Sequence, residues 1–338
     1  MSHGRFDNPV VASLAGFLDR FRKQEKASRL TEADRFDGKS CIITGTTSGL
    51  GFALAVEMAR RGARVIMANR NRSTDTVNMV RKLSGSGNIE QRYIDLTKIG
   101  SIHDFVNGLV KDGIKPEVTI LNAGVALPKP RKTESEQDEM FQVNFLSNVI
   151  LTGLMLENGV IPKDSATAFL PRIIFISSDS HQGCSAIDYS EFGKYYDYGV
   201  SKGIENYSYF KLVMNTFMVE LSERLNAGKV NAGVNVICPG PVHSNITRPA
   251  PFPLRMVLNL IFFLIFRSPA KAALPVVYMS ISPDYEGKSG EYLHMFKTKK
   301  MDPKVYDPRE GIKLWNASMD LWKRVDPLFP ATIEKEKK

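Results

Sequence analysis

The sequence predicts an α/β fold built on a doubly wound parallel sheet. Three observations carry that expectation. Short apolar runs alternate with stretches of helical periodicity along most of the chain. A cluster of glycines joins the first apolar run to the first helix. No repeat, low-complexity tract or linker interrupts the 338 residues, a length that supports one large core. The expected organisation is an N-terminal helical extension at 1–36, a main α/β domain at 37–300, and a C-terminal extension at 301–338.

The elements follow in order. Asn8-Pro9 is a helix start, a capping residue followed by proline at the first helical position. Val10, Val11, Leu14, Phe17, Leu18 and Phe21 recur at helical spacing, with Asp19, Arg20, Arg22 and Lys23 on other faces. Such a helix packs on its own domain or a partner subunit, or lies on a membrane. From Gly38 the expected strands are Ser40–Thr44, Arg64–Ala68, Ile89–Ile94, Val118–Leu121, Arg172–Ser177 and Val234–Cys238. Helical stretches separate them. This β-α-β alternation places helices on both faces of a parallel sheet. The tail Lys335-Glu336-Lys337-Lys338 is expected to be solvated.

Composition narrows the partners. Hydrophobic residues make up 43% and charged residues 24%, ordinary for a globular protein. The net charge of +9 suits nucleic acid, an anionic membrane surface or a phosphate-bearing ligand. Zinc-finger spacing, RNA-binding signatures and long Lys/Arg runs are absent from the sequence, which disfavours nucleic acid. Cys41, Cys184 and Cys238 are odd in number and far apart. That argues for a reducing compartment and against a disulfide framework or a metal site. The opening residues lack a secretory signal, so the expected location is intracellular, cytoplasmic or peripherally membrane-associated, and not secreted. The apolar run Met256–Phe266 is too short to span a bilayer as a helix.

Thr44-Gly45-Thr46-Thr47-Ser48-Gly49-Leu50-Gly51 lies between the first strand and the first helix. Gly45, Gly49 and Gly51 remove side chains where backbone must turn and approach a ligand. The helix that follows offers free N–H groups and a positive dipole end to a pyrophosphate. With this Gly-x-x-x-Gly-x-Gly spacing the chain resembles the short-chain dehydrogenase/reductase family. Further motifs occur in the family's order. Asp95-Leu96 resembles the adenine-contacting pair. Leu121-Asn122-Ala123-Gly124 is similar to the family's Asn-Asn-Ala-Gly, with Leu121 replacing the first Asn. Pro239-Gly240 follows the sixth strand, and Ser244 stands where the family often has a cofactor-binding Thr. The match covers about residues 37–320. It implies a Rossmann-type sheet of about seven strands in the order 3-2-1-4-5-6-7. It also implies cofactor contacts from Gly45, Thr47, Ser48, Gly49, Leu50, Gly51, Asn69, Asp95, Leu96, Asn122, Ala123, Gly124, Pro239, Gly240, Val242 and Ser244.

The end of the second strand selects the cofactor. An acid there would bond the ribose 2′-hydroxyl of NAD(H). The chain reads Ala68-Asn69-Arg70-Asn71-Arg72 instead, with Arg70 placed to hold a 2′-phosphate. NADP(H) is therefore expected over NAD(H), with a solvated Arg70 as the alternative.

Two Tyr-x-x-x-Lys pairs occur nine residues apart, Tyr198–Lys202 and Tyr207–Lys211. In either, a Lys one turn from a Tyr favours the phenolate, which can exchange a proton with an alcohol or ketone. The sequence from Lys211 to Leu225 keeps a helical apolar rhythm that leads directly into the next strand. Tyr195-Tyr196-Asp197-Tyr198-Gly199 is turn-like. Tyr207 to Leu212, followed by Glu220-Leu221, resembles the retinol-dehydrogenase branch of the family. On that resemblance Tyr207 is the acid/base and Lys211 lowers its pKa and binds the nicotinamide ribose. Ser178 polarises the substrate oxygen, and Asn144 holds a water of the proton relay. Tyr198–Lys202 would lie near the mouth of the site.

The segment 248–272 is expected to close over the substrate. Its apolar part, flanked by Arg255, Arg267 and Lys271, suits a small lipophilic substrate, peripheral membrane contact through 251–267 together with the N-terminal helix, or a buried core or dimer helix. Leu314-Trp315-Asn316-Ala317-Ser318 extends the retinol-dehydrogenase resemblance. The implied function is an NADP(H)-dependent oxidoreductase interconverting a lipophilic alcohol and its carbonyl, of the retinoid, steroid or long-chain aldehyde class. A carbon–carbon double-bond reductase of the protochlorophyllide-reductase type and a non-catalytic NADP-binding scaffold are the alternatives. A homodimer is left open.

Overall fold

The computed structural model describes residues 30–162, 169–242 and 267–332. The helix expected after Asn8-Pro9, Ser244, Arg255, the apolar run Met256–Phe266 and the Lys335–Lys338 tail lie outside the described residues.

Eight strands form one sheet: β1 Ser40–Thr44, β2 Arg64–Asn69, β3 Ile89–Tyr93, β4 Val118–Leu121, β5 Arg172–Ile176, β6 Gly233–Cys238, β7 Tyr292–His294 and β8 Lys297–Thr298. Their order is β3-β2-β1-β4-β5-β6-β7-β8. All neighbours are parallel except the antiparallel β7–β8 pair. The expected seven-strand order therefore holds, and β8 extends it. Both residues of β8 are exposed, so no apolar alternation marks that strand in the sequence.

Strand alternation divides the core into two layers. Ile42, Ile66, Phe175, Val236 and Cys238 face one layer. It is covered by α3 (Ile99–Lys111), α4 (Glu139–Glu157) and α5 (Val200–Ala227). Cys41, Ile43, Met67, Ile174 and Ile237 face the other. There α1 (Gly49–Arg60), α2 (Thr74–Ser84) and α6 (Pro269–Ile281) pack. Helix α4 contains a π-helical turn at Gln142–Leu146. It is apolar and long enough to cross a membrane, but 89% of that stretch is buried inside the molecule, as in a core helix.

Helix α7 (Pro308–Val325) packs on α5. Trp315 stacks on Phe217 at 5.2 Å, with the Arg224 guanidinium 4.3 Å from the indole. Phe36, at the other end of the described chain, is buried against Phe169. Residues set apart as extensions by sequence thus contribute to the common core. The strand order reverses between β1 and β4, and an open α/β sheet binds ligands in the crevice outside such a point.

Candidate active site

The crevice is lined first by the glycine-rich turn. Gly45 and Gly49 adopt φ of +73° and +60°, which disfavour any side chain. A Cβ on Gly51 would lie 2.1 Å from the Gly45 carbonyl oxygen and 2.5 Å from Asn122 Nδ2. Ser48 sits at the N-cap of α1 in extended conformation, but its side chain makes no capping bond, and the first turn carries no acid. The N–H groups of that turn face the crevice end of the helix, as anion binding requires. This side-chain-free cradle fits a dinucleotide phosphate.

Neighbouring strand ends hold the cradle. Asn69 Oδ1 accepts from Thr46 N at 2.7 Å, and Asn69 Nδ2 donates to Thr46 Oγ1 at 2.8 Å. Asn69 therefore braces the loop from β2. Thr46 and Thr44 were not singled out by sequence, because their partners come from other strands. Thr44 Oγ1 accepts from Asn122 N and Ala123 N, each at 3.0 Å. Asn122 Nδ2 donates to Thr44 O at 2.9 Å and Gly45 O at 3.1 Å. Asp95 is buried and accepts from Thr97 N at 3.0 Å, while the Leu96 carbonyl accepts from Gln142 Nε2 at 3.2 Å. Thr47 is exposed in the loop and Leu50 is half-buried on α1. Arg70 is exposed just past β2 and has no ion pair among the described residues. Pro239 and Gly240 follow β6, where Gly240 has φ +82°, and Val242 bridges to Arg267.

The four expected catalytic residues lie around the ends of β4 and β5. Asn144 is buried in the π-helical turn. Its amide accepts from Val125 N and donates to Val125 O, both at 2.8 Å, which fixes the loop after Gly124. Ser178 is half-buried beyond β5 and accepts from Ser180 N at 3.3 Å, whereas Ser177 is buried. Lys211 Nζ donates to the Ile176 carbonyl at 2.8 Å and lies 5.5 Å from the centre of the Tyr207 ring. Burial holds Lys211 down to about 8. Burial also pushes the Tyr207 phenol up to about 12, with the nearby Cys238 thiol adding to it. This corrects the expected effect of Lys211 on the phenol. Here desolvation of the phenolate dominates, and the ammonium is directed at a backbone carbonyl.

The second pair is placed elsewhere. Nine residues are about two and a half turns, so Lys202 and Lys211 occupy opposite faces of α5. Lys202 is paired with Glu205 at 2.9 Å and the Tyr198 hydroxyl donates to Asp138 Oδ2 at 3.0 Å. Burial and the Asp138 charge push the Tyr198 phenol far above its usual range. Both residues line a cavity of about 500 Å³, with Phe141, Phe192, Asn206 and Tyr209. Lys202 is thus on the opposite face of α5 from Lys211, and Tyr198 precedes the helix and borders this cavity.

A sequence model of the short chain dehydrogenase family matches residues 39–190. Human retinol dehydrogenase 14 is 33% identical over 332 residues, spanning 91% of this chain and 95% of the relative. The chain belongs to the short-chain dehydrogenase/reductase family. Within it, human polyprenol dehydrogenase is 27% identical over 282 residues, spanning 83% of this chain and 84% of that relative. This short-chain dehydrogenase also matches the crystal structure of an uncharacterized protein from Mycobacterium paratuberculosis at TM-score 0.65 and 25% identity, covering 89% of this chain and 99% of the other. The Pseudomonas aeruginosa RhlG/NADP active-site complex shares the fold at TM-score 0.60 and 19% identity, with 79% and 98% covered. The chain is thus an oxidoreductase of this family, on its retinol-dehydrogenase-like branch.

Proposed function

We propose that this short-chain dehydrogenase interconverts a lipophilic alcohol and its carbonyl with NADP(H), and that Tyr207 exchanges the proton. The observation that carries the reading is the Tyr207–Lys211 pair, with Lys211 held on the carbonyl of Ile176, two residues before Ser178. A nicotinamide bound in the cradle would supply or accept the hydride. The residues that would hold it are the turn Gly45–Gly51, Asn122 to Gly124, and Lys211. Tyr207, protonated at neutral pH, gives its proton to a carbonyl oxygen in reduction; in oxidation it must first lose that proton, and the phenolate then takes one from the alcohol. Ser178 is the half-buried hydroxyl offered to the substrate oxygen, and Asn144 keeps the adjoining loop in place.

The substrate class follows the relatives named for retinol and polyprenol, both lipophilic alcohols. NADP(H) is favoured by the lack of an acid after β2 and by Arg70, whose guanidinium forms no ion pair among the described residues. Assays with NADPH and NADH against retinal, long-chain aldehydes and ketosteroids test the proposal. Turnover of at least one lipophilic carbonyl is expected. Tight NADPH binding without any turnover would favour a scaffold instead. Arg70→Ala should weaken NADPH about tenfold or more with little effect on NADH, a loss of about 1.4 kcal/mol. Equal weakening of both would place 2′-phosphate recognition elsewhere.

A further inference from the structure

The face of α5 that carries Tyr207 and Lys211 continues beyond them, and what it carries there is apolar and exposed. Helix α5 lies between β5 and β6, which pair in parallel, so it runs back against the direction of both strands. Lys211 marks the level of the sheet, because its ammonium sits on the carbonyl of Ile176, the last residue of β5. Residues before Lys211 therefore rise past the carboxyl ends of the strands, over the crevice. At the helical rise per residue, Tyr207 stands about 6 Å past that level, Ile204 about 10 Å and Val200 about 16 Å. Helical phase puts them in line. Val200 is seven residues from Tyr207 and Ile204 seven from Lys211, which is two turns less about 20°. Exposure falls along this stripe: Val200 is 61% exposed, Ile204 55%, Tyr207 half-buried and Lys211 buried.

A second wall comes from the loop after β4. A Cβ on Gly203, next to Ile204, would lie 2.5 Å from the Leu127 carbonyl oxygen, so the loop rests directly on the helix there. Val125 in the same loop donates its N–H to Asn144 Oδ1 at 2.8 Å. Val125 and Leu127 are half-buried and pack against the same core layer as Tyr207. Lys202 and Glu205 are paired at 2.9 Å on the flank, so the stripe itself carries no charge before Lys211. Single exposed apolar side chains are ordinary on a surface. Met79 and Leu83 form a similar exposed pair, but α2 packs on the other face of the sheet. Continuity with the phenol is what sets Val200 and Ile204 apart.

We propose that Val200 and Ile204 are specificity-determining residues that hold the hydrocarbon chain of the substrate. The substrate oxygen lies at Tyr207, and the chain runs outward along α5 between this stripe and the loop carrying Leu127. The occupant is the substrate because the stripe begins at the reacting phenol: Ile204 is three residues from Tyr207, a neighbour on the helix surface. A small polar carbonyl compound would gain nothing from the stripe. A hydrocarbon chain gains roughly fourfold in affinity for each methylene that it buries there. The gain continues until the chain passes Val200, so the enzyme favours long chains over short ones.

The inference rests on the Tyr207 reading, and the test keeps the two apart. Retinol binding to the NADPH complex, followed by retinol fluorescence, needs no turnover. Val200→Ser combined with Ile204→Ser should weaken it roughly tenfold. Met79→Ser combined with Leu83→Ser removes a like pair from α2 and should leave it unchanged. With NADPH and linear aldehydes from butanal to dodecanal, kcat/KM of wild type should climb with chain length, and the Val200/Ile204 double variant should climb less steeply. Equal retinol affinity in that variant, folded, would overturn the proposal. Loss of binding to phosphatidylcholine vesicles with retinol affinity kept would overturn it in favour of a membrane contact. Turnover surviving in Tyr207→Phe would defeat the acid/base reading and not the chain contact, which the retinol measurement still decides. A wild-type complex that takes up neither retinol nor any of the aldehydes would defeat both.

Discussion

Tyr198 and Tyr207 begin the same four-residue spacing, yet their environments give them opposite uses. The Tyr198 hydroxyl is tied to Asp138, and its lysine to Glu205. Tyr207 has a buried lysine one turn on, with the ammonium on the Ile176 carbonyl. Tyr207→Phe should therefore abolish turnover with NADPH binding retained, while Tyr198→Phe keeps most activity. Steady-state kinetics with fluorescence titration of NADPH measures both, and the reverse pattern would exchange the assignments. The pH dependence has a definite sign. A phenol raised to about 12 stays protonated across the neutral range, ready to donate and poorly able to accept. Oxidative kcat/KM should rise steadily from pH 7 to 10, while reductive kcat/KM stays flat below pH 7. An oxidative profile that is flat over that interval would show a much lower phenol pKa in the working complex.

At the scale of elements, the turn between β1 and α1 is held by what surrounds it. Its glycines were legible in the sequence because a phosphate cradle excludes side chains. Its braces, Asn69 at the end of β2 and Asn122 just past β4, were expected as cofactor contacts, and their role in holding the turn depends on contacts between distant segments. Gly51→Ala would force a methyl against Gly45 O and Asn122 Nδ2. NADPH affinity should fall about tenfold or more, near 1.4 kcal/mol, with a smaller loss of thermal stability. Isothermal titration beside a melting curve separates those effects, and unaltered affinity would mean the turn has room to shift. Helix α5 makes a similar point. Its long apolar rhythm marked it as the catalytic helix, but which lysine faced the sheet depended on helical phase.

The whole molecule is closed by α7, whose apolar stripe covers α5. Asp326, at its end, accepts from Trp322 Nε1 at 2.7 Å and from Leu328 N at 2.9 Å, and lies 2.8 Å from His103 Nε2 on α3. One buried carboxylate therefore joins the C-terminal helix to the layer carrying the core helices. Asp326→Ala leaves an indole N–H and an imidazole without that partner and should destabilise the fold by about 1–3 kcal/mol. Thermal denaturation should show a lower Tm, with kcat little changed at temperatures where the enzyme is folded. An unchanged Tm would mean water replaces the carboxylate at all three donors.

The sequence by itself determined six strands of the sheet and the cofactor turn, and its motifs the resemblance that implied the family and the strand order; β7 carried no mark of its own. Those features arise from local patterns: apolar periodicity, glycine placement and motifs in a set order. Strand ends moved by about a residue, because pairing with neighbours, and not propensity, decides where a ladder stops. What the tertiary structure decided was everything that depends on contact between distant residues. It turned Lys211 toward β5 and Lys202 away, and it spent the Asn144 amide on Val125. It also gathered Asp179, Cys238 and His294 from three separate segments. Spacing along a chain fixes which groups share a turn of helix. Only packing fixes which face loses its water, and desolvation sets the proton affinities on which the chemistry depends.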